Sequence, residues 1–122
     1  MLFKGITRQF SLMNEDQYNT IGAFWDEMSD LYGLESLQGL GYLWENGMIS
    51  YAIGLKDGDI PEYNFSIELP ECGWTTVKGK TDDLKQIYDE IYRDGRLDYE
   101  IESFYDNGEC EIKYYRQGKT EI

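Results

Sequence analysis

Residues 40–55 read Leu-Gly-Tyr-Leu-Trp-Glu-Asn-Gly-Met-Ile-Ser-Tyr-Ala-Ile-Gly-Leu, two short apolar runs (Leu40 to Trp44 and Ile49 to Leu55) around Glu45-Asn46-Gly47. Asn-Gly supplies the positive φ values of a tight turn whose twist matches that of paired strands, so the stretch predicts a β-hairpin. The signal recurs at Asp106-Asn107-Gly108, between strands expected at Tyr99 to Tyr105 and Cys110 to Tyr115. A helical pattern precedes each hairpin. Tyr18, Ile21, Trp25, Met28 and Tyr32 recur at steps of three and four, the spacing of one helix face. Asn14 is the expected N-cap, with Gln17 reaching back as in a capping box, and Gly33 the expected stop. The second helix is expected over Asp82 to Asp94, with Leu84, Ile87, Tyr88 and Ile91 on one face, Thr81 as N-cap and Gly95 as stop.

Extended segments at Leu2 to Leu12 and at about Asn64 to Val77 complete two β-α-β-β units, separated by a loop at Lys56 to Pro61. The expected fold class is α+β: two pseudo-symmetric repeats (about 1–57 and 62–122) in a single domain over 1–122, with two helices on one face of a curved antiparallel sheet. The repeat is one of pattern, since residue identity between the halves is weak.

Composition excludes several functions. The 122 residues carry 24 Asp plus Glu, 11 Lys plus Arg and no His, for a net charge of −13. Without imidazole there is no Ser-His-Asp or Cys-His nucleophile and no His-ligated metal, so acid-base work falls to carboxylates and tyrosines. The charge is spread over both halves and argues against nucleic acid, whose affinity comes from Lys and Arg at phosphates, while favouring cationic ligands. The N-terminus lacks a signal-like apolar run and no stretch approaches a membrane span, so a cytoplasmic location is expected. Cys72 and Cys110 stand without a CxxC partner and read as reduced core thiols. No cofactor or metal is expected: Asp57-Gly58-Asp59 opens like a calcium loop but has Glu62 where glycine is needed, and Gly39-Leu40-Gly41 opens like a dinucleotide fingerprint but has Trp44 at the third glycine position. Aromatic residues number 11 Tyr, 5 Phe and 3 Trp, more than a small core needs, which leaves rings to line a pocket.

In chain order, Phe24-Trp25, Gly41-Tyr42, Tyr51-Ala52-Ile53-Gly54-Leu55, Ile60-Pro61-Glu62, Ile67-Glu68-Leu69-Pro70 to Trp74, and Cys110-Glu111-Ile112-Lys113-Tyr114-Tyr115 resemble the motifs of the GyrI-like small-molecule-binding domain, also found as the effector-binding domain of AraC-type and multidrug-sensing regulators. The chain is similar to a stand-alone member with no helix-turn-helix, and its last strand, closing at Glu121-Ile122, is expected to be short. The resemblance implies a ligand groove on the sheet face away from the helices, binding of amphipathic and often cationic aromatics, and in some members hydrolysis of cyclopropane-bearing DNA-alkylating toxins. It also implies that Glu111 is the ligand-facing glutamate.

Strand alternation puts Glu111, Lys113 and Tyr115 on one face and Cys110, Ile112 and Tyr114 on the other, where the apolar set is expected to meet the helices. Glu111 is then either a groove carboxylate or a solvated surface charge paired with a neighbour such as Lys113. Tyr51, Trp74, Tyr42 and Trp44 on strands are candidates to sandwich a flat cation. Trp25 and Phe24 on the first helix can pack or reach the ligand, and Glu68 is a second candidate carboxylate.

Three functions are in competition. The first is a binding module with Glu111 as anchor. The second is a hydrolase in which Glu111 deprotonates water while Tyr51 donates to the substrate carbonyl. The third is an acidic interaction partner of a protein such as gyrase or a separate regulator.

Overall fold

The structure, a computed structural model, describes residues 1–116; the expected ending of the last strand at Glu121-Ile122 lies outside the described residues. Seven strands form one antiparallel sheet: β1 (Leu2–Ser11), β2 (Leu37–Glu45), β3 (Met48–Leu55), β4 (Phe65–Glu68), β5 (Thr75–Lys80), β6 (Tyr99–Phe104) and β7 (Glu109–Tyr115). Helix α1 (Gln17–Tyr32) connects β1 to β2, and α2 (Leu84–Arg93) connects β5 to β6. The strand order is β4-β1-β3-β2-β6-β7-β5, so the halves meet along the antiparallel pair β2 and β6, and the two hairpin turns lie at opposite ends of the sheet. This is the α+β architecture expected from the two repeated patterns.

The first hairpin forms where Asn-Gly requires it: Asn46 and Gly47 have φ values of 55° and 74°, and β2 pairs β3 through Gly41↔Tyr51 and Gly39↔Ile53. Leu43, at φ 57°, marks an irregularity that shifts the register between Tyr42 and Glu45. In the second hairpin Asn107 folds back on the turn, its Oδ1 accepting from the Glu109 amide at 3.0 Å.

Local readings at three points are corrected. Asn14 does not cap α1: it sits at φ 55° in a 3-10 turn (Met13–Glu15), and Asp16 becomes the N-cap with no side-chain hydrogen bond. Thr81 likewise lies inside a 3-10 turn (Thr81–Asp83) that precedes α2, which makes Asp83 its N-cap. The segment expected as one strand over 64–77 is two strands at opposite edges of the sheet, β4 against β1 and β5 against β7. Pro70 and Gly73 interrupt it, because proline cannot donate to a ladder and glycine weakens one. The helix ends agree better, since the Gly33 amide closes α1 on the Ser29 carbonyl at 2.8 Å.

Both faces of the sheet are covered. On the helix side Phe24, Trp25, Met28, Leu37, Tyr51 and Ile112 form the main core. On the other side Phe3, Leu40, Ala52, Leu69 and Ile101 form a second one, flanked by Tyr42, Phe65 and Trp74. Cys110 is buried as expected, whereas Cys72 is exposed in the segment between β4 and β5; both are free thiols. No described helix is long and apolar enough to cross a membrane.

Candidate functional site: a cavity with two buried glutamates

An open cavity of about 1020 Å³ lies on the helix side of the sheet, between α1, α2 and the central strands. A volume of that order is at the upper end of what a drug-sized ligand fills. Its walls are Tyr18, Ile21 and Trp25 of α1 and Leu84, Tyr88 and Tyr92 of α2, and its floor is Tyr51 of β3 with Glu100, Glu102 and Phe104 of β6. The groove that the resemblance implied on the other side of the sheet is therefore not where the main cavity lies, since the helices stand apart over the middle of the sheet and leave the space beneath them open.

Local sequence explains how polar groups come to the floor. Glu100, Glu102 and Phe104 alternate along β6 and point one way, while Tyr99, Ile101 and Ser103 point the other. Directly across the ladder stand two glycines, Gly41 opposite Glu100 and Gly39 opposite Glu102. Absent side chains at these positions make the room: a Cβ on Gly39 would lie 2.1 Å from the Tyr51 hydroxyl and one on Gly41 2.8 Å from Glu100 Oε1. The Tyr51 ring thus lies across β2 and reaches from β3 to β6.

Tyr51, Glu100 and Glu102 are 1%, 4% and 5% exposed. The Tyr51 hydroxyl accepts a hydrogen bond from Trp25 Nε1 at 2.8 Å and donates to Glu102 Oε1. Tyr88 donates to Glu102 Oε2, and Tyr92 donates to Glu100 Oε2 at 3.0 Å. Among the described residues neither glutamate forms an ion pair with Lys or Arg. Burial pushes the Glu100 carboxyl well above the usual carboxylate range, the nearby Glu102 charge adds to this, and the bond from Tyr92 only partly offsets it. Burial also raises Glu102, against which its two tyrosine donors act. With two donors against one, Glu102 is the better-supported anion and Glu100 the proton-bearing partner. The phenols are pushed upward as well, mainly by burial and then by the neighbouring carboxylates.

The candidates from the sequence divide between the two sides of the sheet. Tyr51 and Trp25 meet at the cavity, and Trp44 lines it. Glu111 does not reach it. It points to the opposite face, across the ladder from Ser103, and its carboxylate lies 3.8 Å from Lys78 of β5 rather than beside Lys113. Glu111 and Tyr51 accordingly stand on opposite faces and cannot act on one substrate as base and donor. Tyr42 stacks on Phe65 at 4.7 Å in the second core, and Trp74 donates to the Pro70 carbonyl beside Tyr99 and Tyr115 on that same side. Phe24 is packed against Phe10 under the Arg8 guanidinium, and Glu68 is an exposed edge residue paired with the N-terminal ammonium at 3.0 Å.

The described residues contain no group of His, Cys, Asp or Glu able to hold a metal ion. No family model matches the chain, and no curated protein matches it. Among solved structures it is similar to SAV2435, determined bound to tetraphenylphosphonium, with a TM-score of 0.64. Identity is 18% over 97% of this chain and 93% of that one, which establishes a shared fold.

Glu100 and Glu102 are the buried cavity carboxyls that the sequence reading missed. A Glu-Ile-Glu strand ordinarily turns its apolar residue inward and its carboxylates to solvent, and here both faces are covered, so the rule fails. A signal was present in Gly39-x-Gly41, two glycines on one strand face, which leave space for something large opposite.

Proposed function

We propose that this protein binds amphipathic aromatic cations in the cavity between its helices and sheet, as a GyrI-like binding domain. The observation that carries the reading is Glu102: a buried carboxylate with two tyrosine donors, no basic partner among the described residues, and an aromatic cavity above it. Burying an anion without a counter-charge is costly, and a cationic ligand removes that cost while neutral compounds do not. Trp25, Tyr18, Tyr88 and Tyr92 supply ring faces, each worth roughly 0.5 to 2 kcal/mol against a desolvated cation. The similar structure holds tetraphenylphosphonium, a cation of this class. Its binding to this chain is the natural test. Titration with tetraphenylphosphonium and with the neutral triphenylphosphine oxide, followed through tryptophan fluorescence, is expected to show quenching by the cation at far lower concentration. Equal response to both, or to neither, contradicts the reading.

A further inference from the structure

Cation binding at Glu102 leaves a second buried carboxyl unexplained. Glu100 is 4% exposed and lines the same cavity, and its Tyr92 bond engages only Oε2, while Oε1 accepts no hydrogen bond among the described residues. One buried acceptor without a partner, Gln17 Oε1, belongs to the same lining. Free acceptor capacity in the lining of a ligand-sized cavity calls for donors, which tetraphenylphosphonium lacks but amidinium and ammonium groups carry. Glu100 and Glu102 are two residues apart on one strand face, so their attachment points are separated by roughly 7 Å.

We propose that the cavity selects compact aromatic dications with N–H donors, one charged group paired with Glu102 and the other with Glu100. This rests on the cation-binding reading above. With a singly charged ligand only Glu102 is compensated, and Glu100 keeps a proton, because two adjacent carboxylates in a dry site do not both ionise without counter-charge. With a doubly charged ligand the Glu100 proton leaves to solvent and each carboxylate is balanced by one ligand charge. The titratable and charged groups around Glu100 are Glu102 on its own strand, Tyr51 on β3, Tyr88 and Tyr92 on α2, and Tyr18 and Asp26 on α1, with Asp82, Arg96, Tyr105 and Asp106 on the connecting segments. Burial pushes the phenols of Tyr51, Tyr88 and Tyr92 upward, so they hold their protons through neutral pH, and the aspartates are exposed, so the change falls on the glutamate pair.

Calorimetric titration of the full chain with benzamidine and terephthalamidine, which differ by one amidinium on the same ring, tests this. Near pH 8 the diamidine is expected to bind at least about tenfold more tightly, a difference that narrows as the pH is lowered and Glu100 holds its proton more firmly. Runs in buffers of different ionisation enthalpy are expected to show about one more proton released per diamidine than per benzamidine, a readout on the unmutated protein. Glu100→Gln is expected to reduce the preference to about the twofold that two equivalent amidinium groups give statistically, while benzamidine still binds. If benzamidine binds and depends on Glu102, yet the diamidine gains nothing and releases no extra proton, the dication proposal fails and cation binding stands. If neither amidine binds and tetraphenylphosphonium does not either, both readings fail.

Discussion

The hydroxyl of Tyr51 links the helix layer to Glu102, accepting from the Trp25 indole at 2.8 Å and donating its own O–H to the carboxylate. One phenol thus satisfies a buried donor on α1 and a buried acceptor on β6. Removing it with Tyr51→Phe leaves the Trp25 indole N–H and Glu102 Oε1 without a partner, Tyr88 still donating to Oε2, and leaving buried polar groups unsatisfied costs about 1–3 kcal/mol each. Urea unfolding is expected to show a loss in that range, with little change in the denaturant slope. A variant as stable as the parent shows that the bridge contributes nothing.

Gly39 faces Tyr51 and Gly41 faces Glu100, and the two side chains yield unequally. The Tyr51 hydroxyl, 2.1 Å from a Cβ on Gly39, is fixed from two sides, whereas the Glu100 carboxylate, 2.8 Å from one on Gly41, has a single hydrogen bond and a flexible stem. Gly39→Ala is expected to destabilise at the upper end of the roughly 1–3 kcal/mol typical of overpacking, and Gly41→Ala by less. Thermal unfolding of the two variants side by side checks the order.

Stability is expected to fall as pH rises from acid through neutrality. A carboxyl whose pKa is raised on folding binds more protons folded than unfolded, so its contribution is present below the unfolded value and is lost as pH passes through the folded one. Glu100 is the main carrier, and each unit of displacement is worth about 1.4 kcal/mol. Glu100→Gln removes the titrating group, so melting curves across pH are expected to flatten, with the variant gaining on the parent most at alkaline pH. An unchanged pH profile in the variant places the dependence elsewhere.

The two hairpins, the helix stripes and the pairing of repeats were legible because turns and periodicity are local: Asn46-Gly47 fixes its own geometry and Trp25 and Met28 share a face whatever lies beyond. What was not legible depends on the coverage of the sheet. Glu111 was rightly placed away from the helices, on the side of Lys78 and Ser103, but strand alternation alone does not say on which side an open cavity lies. That is decided by how far α1 and α2 stand apart, a tertiary quantity. The interruption at Pro70 and Gly73 was written in the sequence, yet the assignment of β4 and β5 to opposite edges of the sheet was not.

The central claim is that the anionic anchor is Glu102 within the cavity, and titration of tetraphenylphosphonium into the parent, Glu102→Gln and Glu111→Gln tests it most directly. Glu111, half-exposed beside Lys78, carries an ion pair worth roughly 0–1 kcal/mol and no cavity contact. Its variant is expected to bind as the parent does, whereas Glu102→Gln is expected to lose tenfold or more, the order of one charge-assisted contact of about 1.4 kcal/mol or above. Loss of binding in Glu111→Gln with binding retained in Glu102→Gln would contradict the account and move the ligand to the other face of the sheet.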